Sequence, residues 1–527
     1  MKPINRTSKV RTGFHQAKWD EPIIFELSCK GERGILVPRP EKKIIDKNRS
    51  PVDSLPEHMI RRRPPALPEI SQPRVLRHYM RLSQQTLGAD VNIEIGQGTC
   101  TVKYSPKVND RLAGCPAMRE LHPRQPEESV QGILEIIFRT DCFLRQISGL
   151  DRFSFQPGGG SQAILAMASV MHQYFTTQKQ NNRRDEIITT IYSHPSDAAA
   201  PAVKGYKIIY IGPDKDGYPD FNAFREAVSE RTAGFFVANP EDTGVYNPGI
   251  RQFTDLVHEY GGLCAYDQAN ANGLLGITRA KEAGFDMCFF NLHKTFSTPH
   301  GCGGPACGAI GVKKELERFL PGPLVTRKGE KFVLENPGAD SIGKVRSFTG
   351  AAQVVLKAYA WIMAMGPEGL YETAKTAVLN NNYLFKKLME NRWVDAPYIK
   401  GRQRIEQARY TLEKLAQETG ITTGDIQRRM MDFGLHYWTS HHPYYVPEPM
   451  TLEPTETPSK QDIDEYIATL EHVFKEAEEN PEIIRTAPHQ SVCHRVDSSP
   501  SDDPSQWAIT WRSYLKKHRL KKQDADN

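Results

Sequence analysis

Between residues 127 and 312 the apolar positions switch rhythm repeatedly, from helical spacing to short continuous runs and back. Val130, Ile133, Ile136, Ile137 and Leu144 fall on one face of a helix over 127–148. Phe153-Ser154-Phe155 reads as a strand leading into the turn Pro157-Gly158-Gly159-Gly160-Ser161, and a helical run follows over 162–177. Further strands are expected at 187–191, 207–211, 234–238, 263–266, 287–291 and 309–312, several of them separated by helical runs such as 221–230 and 250–260. That alternation predicts an α/β fold, a mostly parallel sheet with helices on both faces. Ligands of such sheets gather beyond the carboxyl ends of the strands.

The rest of the chain is patterned differently. Residues 1–75 are rich in Pro, Arg and Lys with little periodicity, and read as an extended N-terminal arm, although the pattern turns helical over 72–87. A large α/β domain is expected over 76–345 and a smaller α+β C-terminal domain over 346–497. In the latter, 345–390 is helical, 403–431 holds two helical runs split at 420–424, 448–458 is proline-rich and 460–479 is an acidic helix. Ser, Asp and Pro crowd 497–506, so 498–527 reads as a mobile basic tail.

Composition narrows the class. The 527 residues carry 39% hydrophobic and 25% charged side chains, ordinary for a soluble globular enzyme. No apolar run approaches the roughly 20 residues of a membrane span, and the basic start lacks the apolar core of a secretory signal. A net charge of +5 gives no reason to expect nucleic acid. The densest basic runs, Arg61-Arg62-Arg63 and the run from Lys516 to Lys522, read as solvated. Nine scattered cysteines suggest reduced thiols in a cytoplasmic protein. Cys302 and Cys307 lie near His293 and His300 in sequence, but their spacing fits no usual zinc pattern, so no metal site is expected.

The chemistry concentrates in two segments. Leu263-Cys264-Ala265-Tyr266 ends in Asp267-Gln268-Ala269-Asn270. Asn291-Leu292-His293-Lys294-Thr295-Phe296 runs on through Pro299-His300-Gly301 to Gly303-Gly304. An Asp at one strand end, a Lys at another and a glycine-rich turn are what pyridoxal phosphate requires. The lysine amine takes the aldehyde, and the carboxylate keeps the pyridine nitrogen protonated. Lys294 and Asp267 are therefore the expected catalytic pair, with Ala269 small enough to lie beneath a ring. Taken alone, Asp267 also suits a helix N-cap. Gly158 to Ser161 can offer backbone N–H groups and a helix N-terminus to a phosphate. The turn has neither the Gly-Lys-Ser/Thr of a nucleotide P-loop nor the spaced glycines of a dinucleotide fingerprint. The expected cofactor contacts are Gly159, Gly160, Ser161, His293, Thr295 and the second turn at Gly303 and Gly304, besides Asp267, Ala269 and Lys294.

Together with Ile24-Phe25-Glu26-Leu27-Ser28, Gly98-Thr99-Cys100-Thr101-Val102-Lys103-Tyr104-Ser105-Pro106-Lys107, Leu121-His122-Pro123-Arg124-Gln125-Pro126 and Arg429-Met430-Met431-Asp432-Phe433-Gly434-Leu435-His436, these segments carry a resemblance. From about Ile23 to Asp497 the chain resembles the C-terminal-half subunit (subunit 2) of glycine dehydrogenase (decarboxylating), the P-protein of the glycine cleavage system. The resemblance implies a fold-type-I, aspartate aminotransferase-like pyridoxal phosphate enzyme that decarboxylates glycine and passes the aminomethyl group to the lipoyl arm of a carrier protein. It implies a homologous subunit 1 in an α2β2 assembly, and substrate contacts at Tyr104, Ser105 and Lys107, Tyr104 also acting in catalysis.

Four departures stand out. Gln162 replaces a His that lies over the cofactor ring, and Ser105 replaces an Asn. Ile405-Glu406-Gln407-Ala408-Arg409, which reads as helix, replaces an apolar strand. Leu435-His436-Tyr437-Trp438 replaces Phe-His-Pro-Pro. A lost ring stack costs about 0.5–1.5 kcal/mol, whereas a lost proton-transfer group costs about 10²–10⁴ in rate. The departures leave open a diverged enzyme acting on another amino acid without a lipoyl carrier, and a non-catalytic scaffold subunit.

Overall fold

The computed structural model describes residues 10–47, 54–63, 65–88, 91–96, 103–180, 183–301, 303–398, 403–436, 438, 440, 445–497, 507 and 510–517. The 98–102 half of the Tyr104 motif, Cys302, Tyr437, the 498–506 linker and the basic run beyond Lys517 lie outside the described residues. By internal contacts the chain forms two compact units. One comprises Gly88–Arg485 with the segment ending at Thr12, and the other joins Gly13–Leu87 to the chain from Thr486 onward.

The first unit is built on a seven-stranded sheet: β1 (Arg152–Ser154), β2 (Glu186–Thr190), β3 (Lys207–Ile211), β4 (Thr232–Ala238), β5 (Leu263–Gln268), β6 (Met287–Asn291) and β7 (Gly308–Val312), in spatial order β1-β7-β6-β5-β4-β2-β3. The pairs from β3 through β2, β4 and β5 to β6 are parallel, and only β7 runs against its neighbours. The predicted mostly parallel sheet is therefore present. Side chains alternate between its faces, as the two-residue repeat of a strand demands. Phe235, Val237, Cys264, Tyr266, Cys288 and Phe290 enter one buried cluster with helix Gln131–Ser148, while Phe236, Ala265, Met287 and Phe289 enter another with helix Gly160–Thr177. Both faces are covered, so these strands are apolar throughout.

A third cluster forms the core of the C-terminal part, with Trp393, Tyr410, Ile426, Met450, Tyr466 and Phe474. Here one expectation fails. Residues 405–409 are not helical. Ala408–Thr411 is a strand paired antiparallel with Pro449–Leu452, and the helices of this region are Glu413–Thr419 and Thr423–Met430. The local composition favours a helix, but Arg404 and Arg409 are fully buried and engaged by tertiary partners. Arg404 Nη1 donates to the Thr243 carbonyl at 3.2 Å, and Arg409 Nη2 pairs with Asp242 at 2.7 Å. Those contacts override propensity. Helix Ala352–Leu388 is broken at Gly366 (φ 64°, ψ 179°), just before Pro367. The antiparallel hairpin Leu324–Lys328 with Lys331–Glu335 was not foreseen in the sequence.

In the second unit, helix Gln72–Gln84 anchors the preceding segment. Glu21 lies 2.9 Å from His78 Nδ1 and 3.0 Å from Arg81 Nη1, and Trp19 Nε1 donates to Gln84 at 2.9 Å. The Gln16 N–H donates to the Gln490 carbonyl at 2.9 Å. Cys29, Cys115, Cys142, Cys264, Cys288, Cys307 and Cys493 are free thiols. Among the described residues no helix is long and apolar enough to cross a membrane.

Candidate active site

β5 and β6 are parallel neighbours, with Asp267 opposite Phe289 and Gln268 opposite Phe290. Their carboxyl ends open at the same end of the sheet, where groups carried just past the strands meet. Asp267 is buried and lies inside β5, which runs on to Gln268; no helix follows, so the helix-cap role does not apply. Lys294, half-buried, sits three residues beyond β6 in a turn closed by its own N–H, which donates to the Asn291 carbonyl at 3.0 Å. Asp267 Oδ1 accepts the Ala269 N–H at 2.8 Å. Burial pushes the Asp267 carboxyl up, and the Ala269 N–H and the Lys294 charge oppose that push. His293 is buried with its Nδ1 3.2 Å from the Cys307 carbonyl and its ring edge-on to His300 at 4.8 Å. Burial, with the Lys294 charge beside it, pulls its pKa down to about 3, so it is uncharged at neutral pH.

The turn at Gly158–Gly160 packs against this same end of the sheet. The Gly308 N–H, at the start of β7, donates to the Pro157 carbonyl at 3.0 Å. A Cβ on Gly160 would stand 2.9 Å from Asn291 Nδ2, and one on Gly308 2.6 Å from the Gly159 carbonyl oxygen. Only glycine lets these backbones approach so closely. Helix Gly160–Thr177 begins here with no side-chain cap, which leaves first-turn N–H groups for an anion. The Ser161 and Ser196 hydroxyls lie 2.7 Å apart, and Arg346 reaches the same turn: a Cβ on Gly158 would come within 2.6 Å of its Nη1. Backbone N–H groups, two hydroxyls and a guanidinium suit a phosphate, and a buried carboxylate beside a lysine suits a pyridinium aldehyde. The residues present fit pyridoxal phosphate.

Other predicted contacts are placed less simply. Gln162 accepts the Gly158 N–H at 2.6 Å and donates to the Val345 carbonyl at 2.9 Å, so both ends of its amide tie the turn to the segment before Arg346. Gly303 and Gly304 donate their N–H groups inward to the His300 carbonyl, at 3.4 and 2.6 Å. Thr295 is fully buried and its hydroxyl accepts the Ala271 N–H at 2.9 Å, joining the Lys294 turn to the loop after β5. Tyr104, Ser105 and Lys107 line a cavity of about 630 Å³ together with Lys103, Glu94, Pro299 and Gly301. Tyr104 is exposed and its carbonyl accepts the Ser297 hydroxyl; Ser105 is buried and, among the described residues, no donor or acceptor meets its hydroxyl.

Sequence reasoning missed a buried lysine. Lys103 Nζ donates to the Thr295 carbonyl at 2.8 Å and to Asn272 Oδ1 at 3.3 Å, pairs with Glu456 at 2.9 Å, and lies 4.7 Å from the centre of the Trp361 ring. Beside it Glu453 accepts from Asn270 at 2.6 Å and from Asn272 at 3.0 Å. This network knits the Asp267 loop, the Lys294 turn and the C-terminal part together. Its only sequence signal was the motif around Tyr104. A separate trio, His258, Cys264 and Asp286, has metal-like proximity, but the Lys313 ammonium already sits 2.7 Å from Asp286.

Comparison with known proteins identifies the fold and the family. Residues 154–327 match the family model "Aminotransferase class-V", and residues 373–493 match "Glycine dehydrogenase, C-terminal domain". A crystal structure of a glycine decarboxylase (P-protein) in inhibitor-bound form superposes with a TM-score of 0.70 at 22% identity, covering 83% of this chain and all of the other. A NifS-like protein gives a TM-score of 0.54 at 15% identity, covering 71% of this chain and 97% of the other. Both share the fold. The curated "Probable glycine dehydrogenase (decarboxylating) subunit 2" of Pyrococcus abyssi is 39% identical over 503 residues, 95% of this chain and 98% of the relative. That of Thermococcus kodakarensis is 40% identical over 504 residues, and that of Caldanaerobacter subterraneus 40% over 477 residues, 90% of this chain and 96% of the relative. Identity at this level, carried over nearly the full length of both chains, shows that the chain belongs to the glycine dehydrogenase (decarboxylating) subunit 2 family.

Proposed function

We propose that the chain is the pyridoxal phosphate-binding subunit of a glycine dehydrogenase (decarboxylating), releasing the glycine carboxylate as CO2 and passing the aminomethyl group to the lipoyl arm of a carrier protein. The observation that carries this is the meeting of Asp267 and Lys294 past two neighbouring parallel strands, beside the glycine turn that opens helix Gly160–Thr177. Family membership supplies the substrate and the partner: relatives named subunit 2 imply a homologous subunit 1.

When bound, pyridoxal phosphate supplies an electron sink for the carbon that loses the carboxylate. This chain's residues do the rest. Lys294 Nζ would hold the aldehyde carbon, and Asp267 would accept the ring N–H and keep that proton in place. His293 beside Lys294 is uncharged and adds no second cation there. Ala269 would lie beneath the ring, and Thr295 ties the lysine turn to the loop after β5. The first turn of helix Gly160–Thr177, with Ser161 and Arg346, binds the phosphate. Tyr104, Ser105 and Lys107 meet the amino acid along the cavity they line.

The test is release of labelled CO2 from carboxyl-labelled glycine with subunit 1 and lipoyl carrier supplied. Release that requires both is expected. No release under those conditions would reject glycine cleavage. Absorption changes on adding another amino acid alone would then favour a diverged enzyme.

A further inference from the structure

A buried carboxyl next to Asp267 has no part in the site as described so far. Asp197 lies in the first turn of helix Ser196–Val203 and is completely buried. Among the described residues, neither of its oxygens meets an N–H or O–H donor in hydrogen-bond geometry. The carboxyl of Asp267 is against it and Glu241 is close enough to act on it, while the backbone at His194 acts in the opposite sense. Leaving both oxygens of an ionised carboxylate without a donor is among the costliest arrangements a protein interior can hold. Two carboxyl groups in contact escape that cost in one way: one keeps its proton and gives it to the other.

We propose that Asp197 is a positioning residue whose carboxylic acid donates its O–H to Asp267, fixing the carboxylate that faces the cofactor ring. Only the cofactor-facing role rests on the proposed function; the carboxyl pair itself is a property of the cofactor-free protein. Burial, reinforced by the charge of Asp267, pushes the Asp197 carboxyl well above the usual range. The groups facing the pair are accounted for. Lys294 faces Asp267. Glu241, its own carboxyl pushed up to about 8 by burial, accepts the Thr190 hydroxyl. Asp242 is paired with Arg409 at 2.7 Å. The side chains that act on Asp197 most strongly, Asp267 and Glu241, are both acidic. With its O–H given to one side of Asp267 and the Ala269 N–H to another, the carboxylate has one direction left, and a ring N–H takes it.

The test uses the full-length cofactor-free protein. Infrared difference spectra between wild type and Asp197→Asn at neutral pH are expected to show the carbonyl stretch of one protonated carboxyl group, and Asp267→Asn is expected to shift that band. Thermal unfolding gives a second reading. Asp197 in the unfolded chain loses its proton above roughly pH 4, while the folded chain keeps it, so wild-type stability falls as pH rises from there. Asp197→Asn removes that fall. Its melting temperature should match wild type near pH 4 and exceed it increasingly towards pH 8. A wild-type spectrum whose carboxyl bands are untouched by both substitutions, or a melting difference that stays flat with pH, would overturn the pair. Should Asp197→Asn not fold, the Asp267→Asn spectrum alone decides. With pyridoxal phosphate added, Asp197→Leu is expected to shift the cofactor absorption band, because the donor is gone. If the carboxyl band behaves as stated but Asp267→Asn leaves cofactor binding and absorption unchanged, the ring-facing role fails and the proton-sharing pair stands.

Discussion

Lys103 and Asp267 meet opposite demands at the same site. Lys103 is a buried cation tied to Glu456, so removing it leaves a carboxylate without its partner. Lys103→Met is expected to destabilise the fold by about 3 kcal/mol, read from denaturant unfolding of the cofactor-free protein. A mutant as stable as wild type would show that the pair contributes nothing net. Asp267→Asn should act on chemistry more than on stability. Losing the carboxylate lowers the proton affinity of a facing ring by roughly 1–3 pKa units, so kcat should fall about ten- to a thousandfold. Two further buried groups contribute to the pH response. His293 is held neutral with its pKa near 3, while in the unfolded chain it gains a proton below about pH 6.5. Its contribution is therefore fully present above pH 6.5 and is lost as pH falls towards 3. His293→Gln should flatten that acid limb. Glu406 is fully buried and raised to about 8, so it keeps a proton that the unfolded chain releases near pH 4, and stability drops as pH climbs between those values. Glu406→Gln is expected to recover on the order of a few kcal/mol at pH 8, measured as a difference in unfolding free energy.

At the scale of elements, the break in helix Ala352–Leu388 is the feature most open to a single substitution. Gly366 occupies a backbone region that essentially only glycine visits, so Gly366→Ala should cost about 1–3 kcal/mol. No change in the unfolding midpoint would contradict that conformation. The sheet was legible because its strands are short apolar runs bounded by turns, and the proposed pair Asp267 and Lys294 stood out because each lies at or just past the end of such a run. Ala408–Thr411 was not. Arg404, Glu406 and Arg409 look solvent-facing in sequence, and their burial depends on partners at Thr243, Gly273 and Asp242 that no local pattern announces. Lys103 and Asp197 were missed for the same reason. The neighbours that give them meaning, Thr295 and Asp267, come from distant parts of the chain. Gln162 was noticed as a departure, but its use as a tie between Gly158 and Val345 became visible only in three dimensions.

For the molecule as a whole, the account turns on one amine. Lys294 lies beside a buried carboxylate and a phosphate-sized cradle, and every proposed step depends on that lysine holding the cofactor. The direct measurement is borohydride reduction of the full-length protein reconstituted with pyridoxal phosphate, followed by peptide mass mapping. The account expects the reduced pyridoxyl group on Lys294, and its disappearance in Lys294→Ala. A label on Lys103 or any other residue, or no label in a protein that retains the cofactor absorption, would contradict it.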